Sequence, residues 1–184
     1  MSKLNILIAG STGYIGVQLI NLLIKHRYIK IKYLCGNNSV GKKISYYDKS
    51  LKDKKLPRIV KFNKKYLKEV DVIFTALPNG EAQEISKKLL SNNTLIDLAA
   101  DFRLEKASEY LKWYKKRHKA PKQIKNSIYS LPEITGKKKK TKKTSKKADQ
   151  SKGGRYAGKT SSLGVLAFQN KSLLDNRREK LDDA

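Results

Sequence analysis

The sequence predicts an α/β fold: a doubly wound, mainly parallel sheet followed by a basic, poorly ordered C-terminal tail. Three observations predict it. A β-favouring run, Leu4 to Ala9, ends at three regularly spaced glycines and passes straight into a helical period. Strand-like and helix-like stretches then alternate to about residue 116, which argues for parallel strands covered by helices on both sides. After Gly136 no apolar period survives and lysine takes over.

The first strand, Leu4 to Ala9, is continuous enough in apolar character to be buried on both faces. Val17, Leu19, Ile20, Leu23 and Ile24 recur at helical spacing, and that stretch stops near His26 and Arg27. Ile29 to Cys35 reads as the second strand, closed by Gly36, Asn37 and Asn38. This is a βαβ unit with a right-handed crossover, the arrangement of a Rossmann-type sheet. Residues 36–56 are polar and Lys-rich, a loop. Arg58 to Phe62 is a short strand and Val70 to Leu77 a stronger one, ending in Pro78-Asn79-Gly80. A helix is predicted from Glu81 to Leu90, with Ile85, Leu89 and Leu90 on one face. Thr94 to Leu98 is a further strand and Ser108 to Lys116 a helix, with Pro121 ending that segment. The expected domain is residues 1–136, with 137–184 as a Lys-rich tail lacking a core. Within the tail, Leu163 to Leu174 has the spacing of a short amphipathic helix.

Charge and cysteine usage narrow the class. The formal net charge is +26 over 184 residues, which favours polyanionic partners but says little about fold. Residues 137–184 carry 15 Lys and Arg against 5 Asp and Glu; elsewhere the lysines sit singly between apolar residues, as on solvated faces. Cys35 is the only cysteine, so an intrachain disulfide and any multi-thiolate metal site are excluded, and no metal is expected. The N-terminal apolar run is too short for a signal peptide and no stretch reaches membrane-spanning length, making the cytoplasm the default location.

Gly10, Gly13 and Gly16 follow a strand and open a helix. The first permits a tight turn, the second lets a pyrophosphate approach the backbone, and the third allows helix and strand to pack closely. The helix N-terminus offers free N–H groups to the phosphates, and the Ser11 and Thr12 hydroxyls are further candidate donors. Tyr14 and Ile15 complete the loop. At the end of the second strand, where an NAD site usually has a carboxylate for the ribose 2′-hydroxyl, no acid occurs before Asp48. Ser39, Lys42 and Lys43 stand there instead, each able to donate to a 2′-phosphate, so NADP(H) fits better. The lysines read equally well, one by one, as solvated surface.

Taken together, these blocks resemble N-acetyl-gamma-glutamyl-phosphate reductase over about residues 3–134. The resemblance is carried by Gly10-Ser11-Thr12-Gly13-Tyr14-Ile15-Gly16, with Leu19 and His26 after it. Ser39-Val40-Gly41-Lys42 and the strand and turn Asp71 to Gly80 match in order. Ile96-Asp97-Leu98-Ala99-Ala100-Asp101-Phe102-Arg103-Leu104 is the most specific block. Tyr110, Trp113-Tyr114, His118 and Tyr129-Ser130-Leu131-Pro132-Glu133 follow. The resemblance implies NADPH-dependent reduction of N-acetyl-glutamyl phosphate to the semialdehyde, in arginine synthesis, by a homo-oligomer. It places Leu77 and Pro78 beside the nicotinamide and implies a cysteine nucleophile with a histidine assisting proton transfer. Such a covalent route splits one difficult step into two easier ones.

In that family a Gly-Cys-Tyr-like segment follows the Leu-Pro-Glu block, and then a substrate and dimerisation domain. Here Gly136 runs into Lys137–Lys140, and neither cysteine nor histidine follows. The nucleophile and the base have no matching positions, so no catalytic residue is assigned, and the chain reads as truncated or frame-altered and inactive alone. Three readings of the lysine run stay open: a shifted reading frame, a true basic tail, or joined fragments. The neighbouring frames of the coding DNA separate them. Cys35, at the end of the second strand, reads as a small buried residue. His26 suits a helix C-terminus, and His118 is structural or substrate-side. Asp101 and Arg103 lie just past a strand's C-terminal end, where ligands bind in such sheets, or else form a local ion pair.

Two rival functions are weaker. A short-chain reductase needs a Tyr-x-x-x-Lys pair on a helix, and the only match, Tyr28 and Lys32, falls in the second strand. A nucleic-acid-binding protein would use the Lys137–Lys147 run, but no aromatic-rich module accompanies it, which leaves non-specific contact.

Overall fold

The computed structural model describes residues 3–130 and 165–168. Seven strands form one sheet: β1 (Leu4–Ala9), β2 (Ile29–Cys35), β3 (Ile59–Val60), β4 (Val72–Thr75), β5 (Thr94–Asp97), β6 (Ser127–Ser130) and β7 (Val165–Phe168). Their order is β3-β2-β1-β4-β5-β7-β6. The first five run parallel, and β7 pairs antiparallel with both β5 and β6. Helices α1 (Tyr14–Leu23), α2 (Glu81–Ser86), α3 (Ala107–Tyr114) and α4 (Pro121–Ile124) complete the fold.

Alternation along β1 makes the sheet doubly wound. Ile6 and Ile8 point to one face, where Val17 and Ile20 of α1, Leu34, Ile44, Leu51 and Ile59 close a core. Leu7 and Ala9 point to the other, against Ile73, Leu95, Phe102 and the α2 residues Ala82 and Ile85. A strand buried on both faces has no polar side to show, which is why the run reads as nearly continuous. The excursion predicted as a loop at 36–56 contains two short 3-10 turns, Ile44–Tyr46 and Lys49–Leu51, that each bury one apolar side chain.

Several boundaries move. The strand expected over Val70 to Leu77 is hydrogen-bonded as β4 only over Val72–Thr75, and that over Arg58 to Phe62 only at Ile59–Val60. Helix α2 stops at Ser86 rather than Leu90, which is exposed. Asn93 explains the early stop: its side-chain oxygen caps the Leu90 N–H at 3.0 Å, while its Nδ2 holds the Leu67 and Val70 carbonyls. Lys115, at φ 56°, ends α3, and Pro121 opens α4 rather than closing what precedes it.

The helix expected over Leu163 to Leu174 is corrected where it can be seen: Val165–Phe168 is strand β7. A four-residue apolar run is too short for period to separate helix from strand, and the open edge of β5 offers it backbone partners. The sheet therefore draws on residues beyond 136. The Leu131-Pro132-Glu133 block, the Lys137–Lys147 run, the Gly153–Gly158 loop and the rest of the predicted tail lie outside the described residues.

Candidate cofactor-binding site

Strand order reverses between β1 and β4, the switch point outside whose C-terminal strand ends ligands bind in open α/β sheets. Gly10 turns the chain out of β1 at φ 81°. A Cβ there would lie 2.2 Å from the Ala76 carbonyl oxygen and 3.3 Å from Leu77 Cδ2, so the ends of β1 and β4 touch through this glycine. A Cβ on Gly16 would lie 2.2 Å from the Gly10 oxygen, which makes it the point where α1 rests on its own loop. Gly13 is different. It is exposed, has an ordinary φ of −72°, and its Cβ would meet only the Gly10 oxygen, at 3.6 Å.

Gly13 is also the N-cap of α1, with no side-chain cap and no acidic residue in the first turn. The initial N–H groups of a helix without these partners form a positive, unsatisfied end suited to an anion. Thr12 is half-buried beside it, while Tyr14 and Ile15 are exposed on the first turn. Ser11 has another task. It is fully buried, and its backbone N–H and its hydroxyl both donate to the Cys35 carbonyl at 3.1 Å. The hydroxyl that the sequence places among the phosphate donors instead ties the glycine loop to the end of β2.

Beyond β2, Ser39 is buried and accepts a hydrogen bond from the Tyr47 hydroxyl at 2.6 Å, leaving its own proton to donate. Lys42 and Lys43 are exposed and line a cleft of about 430 Å³ with Tyr46 and Lys49. The Lys42 ammonium lies 4.6 Å from the centre of the Tyr46 ring, a cation–π contact that holds the charged end over that aromatic face. On the other side, Leu77 is half-buried against Gly10 and Pro78 is exposed.

The residues past β5 are not placed as their sequence position suggests. Asp101 is 1% exposed and points inward: its Oδ1 accepts from the Gly80 N–H at 2.7 Å, Gln83 Nε2 at 2.9 Å and the Tyr110 hydroxyl at 2.8 Å. Arg103 donates from Nε to the Ala99 carbonyl at 2.8 Å, and no ion pair joins it to Asp101 among the described residues. The local ion pair is thus not formed, and Asp101 serves internal bracing, whereas Arg103 is half-buried and lines a cleft with Phe102, Ile124 and Tyr129. His118 is buried, its Nδ1 accepts from the Ala120 N–H, and its Nε2 donates to the Asp101 carbonyl at 2.8 Å. Burial lowers its pKa, so the ring is a neutral structural strut.

Burial also pushes the Cys35 thiol up to about 12, which removes it as a nucleophile. Tyr28 and Lys32 have separate surroundings: Arg27 covers the Tyr28 ring and Glu69 pairs with the Lys32 ammonium at 2.9 Å. Gln83 is the member of this network that the sequence does not single out, and spacing gives no signal that would bring it together with Tyr110 and the Gly80 N–H. Asp97, beside them, is fully buried and accepts from the Thr75 hydroxyl at 2.7 Å, while its Oδ2 makes no hydrogen bond.

Known proteins resemble this chain in sequence over the same region. The family model for the semialdehyde dehydrogenase NAD binding domain matches residues 5–142. N-acetyl-gamma-glutamyl-phosphate reductase of Ehrlichia ruminantium is 42% identical over 134 residues, covering 72% of this chain and 38% of that protein. The enzyme of the same name from Acinetobacter baylyi is 37% identical over 137 residues, covering 74% and 39%. A solved structure of aspartate semialdehyde dehydrogenase with NADP from Candida albicans shares 26% identity over 58% of this chain and 32% of its own, at a TM-score of 0.46. The chain spans less than two fifths of the length of the curated relatives it matches. With its glycine junction, reversed strand order and open helix end, the chain belongs to the semialdehyde dehydrogenase NAD-binding domain family.

Proposed function

We propose that this chain supplies the NADP(H)-binding part of an N-acetyl-gamma-glutamyl-phosphate reductase, with residues 1–136 providing the nucleotide-binding elements. The observation that carries the proposal is the uncapped N-terminus of α1 behind an exposed Gly13, at the point where strand order reverses. The pyrophosphate rests on that helix end, contacting backbone at Thr12, Gly13 and Tyr14. The adenosine ribose falls at the end of β2, where Ser39 and Lys42 donate to a 2′-phosphate. Nicotinamide lies toward Leu77 and Pro78. When bound, the nicotinamide supplies the hydride for reducing an acyl group. The chain's own residues bind and orient it.

Relatives bearing the reductase name, at 36–42% identity, support N-acetyl-glutamyl phosphate as the substrate of the whole enzyme and arginine synthesis as its setting. A homo-oligomer in the cytoplasm is the corresponding assembly, with only non-specific nucleic-acid contact through Lys137–Lys147. Among the described residues no helix is long and apolar enough to cross a membrane.

Titration at low ionic strength tests the proposal. The 184-residue chain is expected to bind NADPH more tightly than NADH, and Lys42→Ala to weaken NADPH about 3- to 10-fold, as loss of an exposed ammonium–phosphate contact should. NADH affinity should stay unchanged. Equal loss for both nucleotides would reject the 2′-phosphate role of Lys42, and no binding of either would reject the whole reading.

Turnover is a separate matter. The one cysteine is buried and protonated, so the purified chain is expected to bind the nucleotide without reducing the acyl phosphate. Sustained NADPH oxidation dependent on that substrate would show that a nucleophile other than a thiol serves.

A further inference from the structure

Asp101 gathers three separate parts of the fold onto one oxygen. Gly80 belongs to the turn after β4, Gln83 to α2 and Tyr110 to α3, and all three donate to Oδ1 within 2.9 Å. The Gln83 side-chain oxygen in turn accepts from the Lys119 N–H at 2.6 Å, and the Asp101 carbonyl accepts from His118. Oδ2 is buried and makes no hydrogen bond. At 1% exposed the carboxyl group is too deep to meet a ligand. What it does control is the Pro78-Asn79-Gly80 turn. Gly80 sits at φ 97° as the N-cap of α2, with no side-chain cap of its own, and its N–H has the Asp101 oxygen as partner. A charged acceptor makes that bond roughly twice as strong as a neutral one would.

The turn's place gives the bond its consequence. The end of β2 receives the adenosine ribose in this topology, and the β1 loop receives the pyrophosphate. The remaining half of the dinucleotide must then fall on the β4 side, against Leu77 and Pro78. The geometry points to Asp101 as a positioning residue: through Gly80 it sets the turn against which the nicotinamide half of the cofactor lies, without touching the cofactor. This rests on the dinucleotide reading above, and the test separates the two.

The full chain is compared with Asp101→Asn and Tyr110→Phe, each first checked by thermal melting, using two probes. NADPH spans both halves of the site, whereas 2′,5′-ADP carries only the adenosine half. The parent chain binds both. Asp101→Asn keeps an oxygen acceptor of the same shape but no charge, so it is expected to weaken NADPH about ten-fold. Tyr110→Phe removes one of the three donors and weakens NADPH less, in the same direction. Both variants hold 2′,5′-ADP within about two-fold of the parent, and their NADPH fluorescence enhancement falls.

Unchanged NADPH affinity in a folded Asp101→Asn chain overturns the assignment. So does parallel weakening of both probes, which is what a merely structural role gives. If Asp101→Asn does not fold, Tyr110→Phe decides alone, and parental affinity for NADPH overturns the role. Failure of the parent chain to bind 2′,5′-ADP removes the dinucleotide reading itself, and the role with it.

Discussion

Gly13→Ala is expected to fold as the parent does and to lose most of its NADPH affinity, whereas Gly10→Ala and Gly16→Ala are expected to lose stability first. The three glycines look alike in sequence, but the backbone around each differs. At Gly10 a methyl group meets the Ala76 carbonyl at 2.2 Å with φ at 81°. The left-handed conformation costs about 1–2 kcal/mol and overpacking about 1–3 more. That is a large part of the roughly 5–15 kcal/mol that typically holds a domain together. Gly16 is helical, where alanine is ordinarily favoured by about 1 kcal/mol. Here its methyl would strike the Gly10 oxygen, a backbone atom with nowhere to move, so the preference reverses. At Gly13 the added methyl makes one ordinary contact, at 3.6 Å, and the φ suits any residue, so stability should change by no more than about 1 kcal/mol. The methyl instead occupies the approach to the helix end. Urea melts and NADPH titration of the three variants check this: a Gly13→Ala chain with parental affinity would contradict the pyrophosphate placement.

Asp97→Asn is expected to stabilise the chain at pH 7.5 by up to about 3 kcal/mol and to leave it near parental stability at pH 4. Burial raises the Asp97 pKa from 3.8 to about 6; the Thr75 hydrogen bond opposes this and the nearby Asp101 charge adds to it. A folded-state pKa above the unfolded one means that the native chain binds more protons between those two values. Stability therefore declines as pH rises through that window, by about 1.4 kcal/mol for each pH unit that separates the two pKa values. Asparagine keeps an acceptor for Thr75 and never ionises, so the decline should vanish. His118 contributes with the opposite sign. Its pKa is lowered by burial, so protonation below its ordinary value of 6.5 disfavours the fold. The difference between variant and parent isolates Asp97, since His118 is common to both. Denaturation midpoints taken from pH 4 to 8 give the comparison, and identical slopes would mean that Asp97 is not the group responsible.

The parallel half of the sheet and the glycine junction were legible because they rest on local pattern. The apolar run of β1, the period of α1 and the turn chemistry at Gly10 each specify their own backbone. The antiparallel pair was not. Ser127–Ser130 is short and polar at both ends, and Val165–Phe168 becomes a strand only because β5 leaves an edge to fill. The candidate site divides the same way. Backbone-determined features, the open helix end above all, followed from spacing. The side chains did not. Ser11 and Asp101 both face inward, because a buried carbonyl at Cys35 and a left-handed turn at Gly80 each need a partner that residue spacing does not reveal.

Strand β7 makes assembly of the sheet discontinuous in time. Among the described residues β6 pairs with β7 alone, and β7 lies far downstream in the chain. While the protein is being synthesised, the parallel strands can associate early, yet the outer margin of β5 stays bare until residues 165–168 emerge. An uncovered strand margin recruits other chains as readily as its own. In the folded chain residues 165–168 are therefore what keeps the β5 margin from serving as a pairing surface for a second copy.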